Sequence, residues 1–281
     1  MSSIVWLASY PKSGNTWIRA FLQNYISDSN KPADINALDK YFADESKPYW
    51  YSPHTDRSLE ELTLTKICQM REAAHLDIAD SRQGTIIVKT HNLLGEYDGH
   101  PLHNMSVTAG AVYVVRNPLD IVLSISDHFG ISIEESIVFV NEDGTATPTD
   151  EANVASVLSS WSNHVTTWTH DQGDNLRIVR YEDLLTKPGK AFAGIASFLG
   201  LGKDPGRLKR AIRHSSFDTL RNQETKSGFV ERSPNSKRFF RTGRQNQWRT
   251  LLTRQQVETV VEANREQMRR FKYLPKGFSP S

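Results

Sequence analysis

Four short runs of apolar, often β-branched residues stand out along the chain, and polar residues follow each of them. The runs are residues 4–8, 85–88, 111–115 and 176–179. Strands that are buried on both faces show such continuous runs, whereas half-exposed strands alternate apolar and polar residues. The pattern therefore predicts four buried strands of a mainly parallel sheet.

Apolar residues with helical spacing lie between and after these runs. They recur over residues 17–25, 161–168 and 257–268. Two helix starts are marked: Asp204 precedes Pro205, an N-cap followed by a first-turn proline, and Thr253 with Gln256 fits a capping box. The alternation of strands and helices predicts an α/β fold, a single domain whose mainly parallel sheet is flanked by helices.

Composition narrows the class of protein. The chain has 281 residues and a net charge of +2, which argues against nucleic acid or an anionic membrane as the main partner. Cys68 is the only cysteine, so no internal disulfide can form. We see neither a signal-peptide pattern at the start nor an apolar run of the roughly 20 residues that a membrane span needs. These features favour a cytoplasmic protein. We expect residues 1–281 to form one domain.

Two segments have loop-like composition. Residues 130–153 begin with a helix-like stretch over 132–140 and then become polar and turn-rich, while residues 225–247 are basic and polar. Polar connections of this length in a compact domain are often functional lids, although a solvated insertion without a role is the alternative. We expect both to be mobile loops at the substrate or cofactor, with 130–153 gating acceptor access.

Polar residues that could bind a ligand or take part in catalysis directly follow each predicted strand. The polar clusters are residues 9–16, 89–91, 116–120 and 180–183. Because open α/β sheets bind ligands at the carboxyl ends of their strands, we expect the four clusters to converge on one crevice.

The first cluster has the chemistry of a phosphate-binding loop. Gly14 lets a ligand approach the backbone just before a helix begins near Asn15, and a helix N-terminus attracts anions. Lys12, Ser13 and Thr16 add a charge and two hydroxyl donors. This is P-loop-like but not a Walker A loop, in which the lysine directly follows the second glycine. An ordinary strand-to-helix turn is the alternative.

Six motifs in order resemble the cytosolic-type sulfotransferases. They are Pro-Lys-Ser-Gly-Asn-Thr-Trp at 11–17, Lys-Thr-His at 89–91, Arg-Asn-Pro-Leu-Asp at 116–120 with Ser124, Tyr-Glu-Asp at 181–183, His-Ser-Ser-Phe at 214–217, and Phe-Arg-Thr-Gly at 240–243 followed by Trp248-Arg249. The family forms of the first and fifth are Pro-Lys-Ser-Gly-Thr-Thr-Trp and His-Thr-Ser-Phe. The opening residues 6–12 also resemble the bacterial branch that sulfates glycopeptide antibiotics.

The resemblance implies an enzyme that transfers a sulfuryl group by in-line displacement. Its donor would be 3′-phosphoadenosine 5′-phosphosulfate (PAPS), its product adenosine 3′,5′-bisphosphate (PAP), and its acceptor a hydroxyl or amine of a small molecule or natural product. It gives catalytic roles to His91 as general base, Lys12 and Lys89. The implied donor-binding residues are Lys12, Ser13, Gly14, Asn15, Thr16, Trp17, Arg116, Ser124, Tyr181, Ser215, Phe217, Arg241, Thr242 and Gly243. Trp17 either stacks on adenine or simply packs in the core.

The chain departs from the family pattern at a few positions. Thr242 stands where the family has a lysine, which removes one cationic contact unless Lys237, Arg238 or Arg244 replaces it. The family dimer signature is only partly present over 249–258, so a homodimer is a possibility that the sequence leaves open.

No residue set has the spacing of a zinc or magnesium site, and we expect no metal. The alternatives are a nucleotide kinase-like phosphotransferase and a non-catalytic nucleotide-binding protein. The departure from Walker A weighs against the first, and the presence of both Lys12 and His91 against the second.

Overall fold

A computed structural model describes residues 2–170 and 173–278. The strands are β1 (Ser3–Ser9), β2 (Ala43–Asp44), β3 (Thr85–Thr90), β4 (Glu96–Tyr97), β5 (His100–Pro101), β6 (Thr108–Val115) and β7 (Leu176–Arg180). The α-helices are α1 (Asn15–Ser27), α2 (Leu64–Asp80), α3 (Pro118–Phe129), α4 (Ile133–Asn141), α5 (Trp161–Thr169), α6 (Tyr181–Thr186), α7 (Pro188–Phe198), α8 (Pro205–His214), α9 (Phe217–Ser227), α10 (Trp248–Leu251) and α11 (Arg254–Arg270). Short 3-10 helices cover Ile35–Lys40, Pro48–Trp50, Ser52–His54, Leu59–Glu61 and Met105–Val107.

The main sheet of the fold has five strands. Its order is β2-β3-β1-β6-β7, and β3 pairs in parallel with both β1 and β2. The four strands that the apolar runs predict are β1, β3, β6 and β7, and the α/β class is confirmed. β1 lies between β3 and β6, so the strand order reverses at β1, the kind of place where open α/β sheets bind ligands.

The sequence pattern misses the shortest strands. β2 has two residues, Ala43 and Asp44, and β4 and β5 form an antiparallel hairpin of two residues each. Strands this short contain no apolar run or alternation for a pattern to show. β2 nevertheless matters for the site, because its register places Asp44 beside Lys89 on β3.

The described chain divides into two compact units. The first comprises residues 2–10, 42–113, 139–170 and 173–178, and the second comprises residues 11–41, 114–138 and 179–278. The first unit holds most of the sheet together with α2 and α5. The second holds α1, α3 and the helices from α6 onward, and the chain passes from the first unit to the second near the ends of β6 and β7.

Polar rings take part in the core of the first unit. Trp6 is 1% exposed, its Nε1 donates to Thr108 Oγ1 at 2.9 Å, and its ring meets His75 and His103 edge-on. Helix α2 buries His75 and Arg71 on its inner face. The charged and polar residues on that face explain why apolar spacing alone does not reveal this 17-residue helix.

In the second unit the predicted helix starts are confirmed. Asp204 accepts a hydrogen bond from the Arg207 N–H at the start of α8, and Thr253 and Gln256 form both bonds of a capping box on α11. Such side chains satisfy N–H groups that the first helical turn leaves open. Phe21 of α1 stacks on Phe192 of α7 at 4.2 Å between ring centroids.

The two predicted loops contain more order than their composition suggests. Residues 132–140 largely become α4, and the stretch that follows forms an isolated bridge between Ala146 and Val157. In the later segment, the Glu224 carboxylate accepts from the N–H groups of Phe239 and Phe240. Their mobility and the gating role remain predictions.

Among residues 2–170 and 173–278, none of the helices combines the length and the apolar composition of a membrane span.

Candidate active site

The loop after β1 presents backbone rather than side chains at the start of α1. Gly14 is the N-cap residue at φ 106°, without a capping side chain, and its carbonyl accepts from the N–H groups of Trp17 and Ile18. Lys12 adopts φ 65°, in the left-handed region that few lysines occupy. Two left-handed residues within three positions turn the chain sharply onto the helix, whose N-terminus favours an anion.

The close approach of the Tyr181 ring explains why residue 14 is glycine. A Cβ at this position would lie 2.7 Å from Tyr181 Cδ2, closer than real Cβ contacts come. Tyr181 begins α6 directly after β7, so the ring that closes on the loop comes from another of the polar strand ends.

Ser13 carries a buried hydroxyl without a partner. The residue is 1% exposed, and its Oγ makes no hydrogen bond within the described residues. Buried polar atoms are nearly always bonded to protein, water or a ligand. An orphaned donor in a loop at a helix N-terminus fits an anion that the loop is built to hold.

Arg116 connects this loop to the second predicted phosphate motif. Its Nη1 donates to the Lys12 carbonyl oxygen at 2.7 Å and lies 3.3 Å from Ser124 Oγ, while its guanidinium lies 4.4 Å from the Tyr181 ring centroid. Asn117 caps α3, and the helix brings Ser124 back to Arg116, a meeting that eight residues of spacing could only suggest. Arg116 Nε is buried without a described partner.

The Lys12 side chain is held by two residues that the motifs did not single out for this role. Its Nζ lies 3.3 Å from His128 Nδ1 and 4.2 Å from the centroid of the Phe239 ring. His128 lies in the last turn of α3, and Phe239 belongs to the segment 225–247. Both contacts orient a cation beside the phosphate loop.

Protein groups engage the side chains of both Asn15 and Thr16. Asn15 Oδ1 accepts from Arg19 Nε at 3.2 Å, and Thr16 Oγ1 donates to Glu231 Oε2 at 3.0 Å. Arg19 is 1% exposed and pairs with Glu231 at 2.8 Å. A phosphate here would therefore meet the backbone N–H groups and Ser13 first, since the Thr16 hydroxyl is committed to a carboxylate.

Aromatic rings form the predicted adenine side. Trp17 Nε1 donates to the Ser215 carbonyl at 2.8 Å, and the indole meets Tyr181 and Phe192 edge-on. The Ser215 hydroxyl turns back to the Ala211 carbonyl of α8, so its backbone rather than its hydroxyl faces Trp17. Trp17 remains partly exposed, which keeps stacking on a base open.

The predicted 3′-phosphate loop packs on Phe217. A Cβ at Gly243 would lie 2.4 Å from the Phe217 ring, so the loop approaches that ring as closely as glycine allows. Arg241 Nη2 reaches Gln247 Oε1 at 3.4 Å, and Thr242 is exposed. The three candidate replacements for the missing lysine, Lys237, Arg238 and Arg244, are exposed as well.

Asp120 anchors the end of this loop. Its carboxylate accepts from the backbone N–H groups of Asn246 and Trp248 at 2.7 and 3.2 Å. The residue therefore does more than place a negative charge in the first turn of α3.

His91 lies in the first unit, directly after β3. Its Nδ1 lies 2.7 Å from the Ser9 carbonyl oxygen, which can only accept, so Nδ1 carries the proton and Nε2 carries the lone pair. Burial, and then the charge of Lys89, lower the pKa of His91 to about 3, although the Ser9 carbonyl opposes the shift. The ring is therefore neutral at ordinary pH and offers Nε2 as a proton acceptor.

Lys89 is paired rather than free. Its Nζ donates to Asp44 Oδ2 at 2.7 Å, and the side chains are 15% and 6% exposed. A carboxylate this close offsets much of the cation's field. The catalytic role that the resemblance implies for Lys89 stays a prediction.

The model of the sulfotransferase domain matches residues 2–272, across both units. The chain belongs to the sulfotransferase family. Members of this family are enzymes, so the alternatives of a kinase-like or non-catalytic protein give way to sulfotransfer. The resemblance that six short motifs carried is confirmed along nearly the whole chain.

The sulfotransferase is also similar to individual proteins of known kind. It is 24% identical over 92% of its length to a flavonol sulfotransferase-like protein of Flaveria bidentis, covering 79% of that protein. It is 26% identical to sulfotransferase 2A2 of Mus musculus, with 98% of this chain and 86% of that protein covered. A crystal structure of retinol dehydratase with androsterone and inactive cofactor PAP has the same fold, at TM-score 0.65, 18% identity and coverage of 94% and 80%.

Gly14 gives a direct test of the loop. An alanine at position 14 would have to adopt a left-handed φ, and its Cβ would lie 2.7 Å from the Tyr181 ring. Because such backbone strain costs about 1–3 kcal/mol, we expect PAP to bind at least about fivefold more weakly by calorimetry. Gly189→Ala is the matched control, since nothing lies within 4 Å of a Cβ there. Equal PAP affinity in both variants would show that the loop does not hold the ligand.

Proposed function

We propose that this sulfotransferase takes its sulfuryl group from PAPS and transfers it to a hydroxyl or amine of a small-molecule acceptor. The observation that carries the donor assignment is that one buried donor in each predicted phosphate motif, Ser13 Oγ and Arg116 Nε, has no hydrogen-bond partner among the described residues. One belongs to the loop at the start of α1, and the other to the arginine beside Ser124. Together they match a nucleotide with phosphates at both the 5′ and the 3′ position.

The residues present fit this donor. When bound, PAPS supplies an activated sulfuryl group on its 5′-phosphate. The N–H groups at the start of α1 and the Ser13 hydroxyl hold the 5′-phosphate, and Gly14 leaves room for its approach. Lys12 places a cation beside the phosphate oxygen on which charge develops as the sulfuryl group leaves, which stabilises the transition state.

In this proposal Arg116 and Ser124 bind the 3′-phosphate. A guanidinium can give two parallel N–H groups to phosphate oxygens, and Arg116 already has Nε free of described partners. Arg241 and Gly243 belong to the loop that covers this phosphate. Thr242 stands where the family has a lysine. The positive charge of that lysine comes instead from one of the exposed residues Lys237, Arg238 and Arg244 in this proposal.

Four residues form the adenine side in this proposal: Trp17, Tyr181, Ser215 and Phe217. The hydrogen bond from Trp17 to the Ser215 carbonyl fixes the plane of the indole. Aromatic faces held in place in this way present a stacking surface for a purine.

His91 is the general base. Its Nδ1–H is held by Ser9, so Nε2 takes the proton from the acceptor hydroxyl or amine as that atom attacks sulfur. Lys89 adds positive charge near the entering or leaving oxygen in this proposal, reduced by its pairing with Asp44.

The acceptor is a small molecule in this proposal. Relatives are named for flavonols, and the retinol dehydratase structure contains androsterone. The cytoplasmic location, the homodimer, the absence of a metal requirement and the gating by residues 130–153 stay as predictions. A mass-shift screen of hydroxylated compounds with PAPS, run with and without magnesium, identifies the acceptor and tests the metal requirement.

Arg116 tests the choice of donor. Calorimetry should show that PAP binds far more tightly than AMP, because AMP lacks the phosphate that Arg116 and Ser124 hold. Arg116→Ala should weaken PAP by at least about 1.5–3 kcal/mol, the scale of a charge-assisted hydrogen bond, and leave AMP nearly unchanged. Arg269→Ala on α11 is the control for loss of an exposed arginine in the same unit, outside the motifs. If AMP and PAP bind the native chain equally, the 3′-phosphate assignment fails.

His91 tests the mechanism. His91→Ala should lower turnover at least about a hundredfold, the lower end for general-base catalysis, with PAP affinity nearly unchanged. Because its pKa is lowered to about 3, His91 stays neutral as pH falls from 8 to 5. The kcat/KM profile of the native enzyme should therefore show no loss from His91 protonation near pH 6.5. Near-native turnover of His91→Ala would remove this residue from the reaction.

A further inference from the structure

Glu45 is a buried carboxylate that the motifs do not include. It directly follows β2 and is 1% exposed. Its Oε1 accepts from the Thr90 hydroxyl and from Asn92 Nδ2, the latter at 2.8 Å. Thr90 and Asn92 are the two neighbours of His91, so one carboxylate oxygen binds the side chains on both sides of the base.

The other oxygen of Glu45 is bound from α2. His75 Nε2 donates to Oε2 at 2.8 Å, and His75 Nδ1 accepts from the Asn104 N–H, which places the histidine proton on Nε2. Arg71 lies 3.6 Å away in a buried ion pair. Burial alone raises the pKa of Glu45, but the His75 hydrogen bond and the Arg71 charge reverse this and lower it to about 2. The group is a carboxylate at any working pH.

The backbone of the turn is held at the same points. The Glu45 N–H donates to the Lys89 carbonyl at 3.2 Å, and the Asn92 N–H donates to Thr90 Oγ1 at 3.0 Å. Asn92 Oδ1 accepts from the Val157 N–H, and His164 Nε2 lies 3.1 Å from the His91 carbonyl. The backbone at His91 is therefore fixed on each side.

A buried carboxylate is costly, and well-packed apolar side chains often fill such a space as well or better. An apolar residue at position 45 could not accept hydrogen bonds. Glu45 accepts from both Thr90 and Asn92, the neighbours of His91. The hydrogen bond between His91 Nδ1 and Ser9 depends on that backbone, because a small rotation at residue 91 would carry the ring off the carbonyl.

We propose that Glu45 is a positioning residue for His91, which holds Thr90 and Asn92 so that Nδ1–H stays on Ser9 and Nε2 keeps its lone pair. The inference rests on the proposed role of His91 as general base. Glu45 touches neither donor nor acceptor in this account. It acts only through the turn that carries the histidine.

The test uses two kinds of variant in the full chain. Glu45→Gln puts an amide where His75 or Asn92 donates, so one donor must lose its acceptor. Thr90→Val removes the hydroxyl that donates to Glu45, accepts from the Asn92 N–H and lies 3.3 Å from His103 Nε2, and Thr90→Ser restores that hydroxyl. Asp77→Asn is the matched control, because this carboxylate also pairs with a histidine, His54, but on the surface of the first unit.

The primary readout is the ring tautomer of His91 by nitrogen-15 NMR at neutral pH. The chain has nine histidines, so the His91 signals are those missing from His91→Gln. The native enzyme and Asp77→Asn should show Nδ1–H almost alone. Glu45→Gln and Thr90→Val should show a mixture with Nε2–H, and Thr90→Ser should return toward the native signal.

Turnover with the acceptor from the screen is the second readout. Because small displacements of a catalytic group cost up to about a hundredfold, we expect kcat to fall about tenfold to a hundredfold in Glu45→Gln and Thr90→Val. PAP affinity should stay within about twofold, and Thr90→Ser should recover much of kcat.

Folded variants with a native tautomer and native kcat would overturn the proposal. If Glu45→Gln does not fold, the Thr90→Val and Thr90→Ser pair decides in the same way. If His91→Ala keeps its turnover, the base assignment fails, while the tautomer measurement still judges whether Glu45 positions the ring.

Discussion

The proposed donor site of this sulfotransferase depends on one hydrogen bond, from the Arg116 guanidinium to the Lys12 carbonyl oxygen. It ties the residue that directly follows β6 to the loop that follows β1, and Ser124 and the Tyr181 ring contact the same guanidinium. Tyr181 in turn closes on Gly14, so loop, arginine and ring each limit where the others can lie. In the proposed mechanism these mutual contacts hold the loop in one arrangement, which favours electrostatic stabilisation with little reorganisation.

The proposed base depends on a different kind of constraint, the tautomer of a single histidine. A neutral imidazole accepts a proton at only one nitrogen, and the Ser9 carbonyl determines which one for His91. Burial lowers the pKa of this ring to about 3, so His91 is neutral at ordinary pH, as the proposed role as general base requires.

The sequence indicates much of this and misses specific parts for physical reasons. The continuous apolar runs reveal β1, β3, β6 and β7, and the polar residues at their ends include Lys12, His91 and Arg116. Local spacing cannot reveal long-range polar pairs. Arg19 and Glu231 lie 212 positions apart, and Glu45 reaches Thr90 only because the two-residue β2 joins the sheet edge. The commitment of the Thr16 hydroxyl to a carboxylate likewise follows from tertiary contacts that no motif encodes.

The most direct test of the account follows the sulfur itself. The enzyme is incubated with PAPS that carries labelled sulfur, together with the acceptor from the screen, and both products are separated and counted. The account predicts one labelled sulfuryl group on the acceptor for each PAP released, and loss of the acceptor label in His91→Ala while PAP still binds. Label that appears only as inorganic sulfate, or transfer that proceeds equally well without His91, would contradict it.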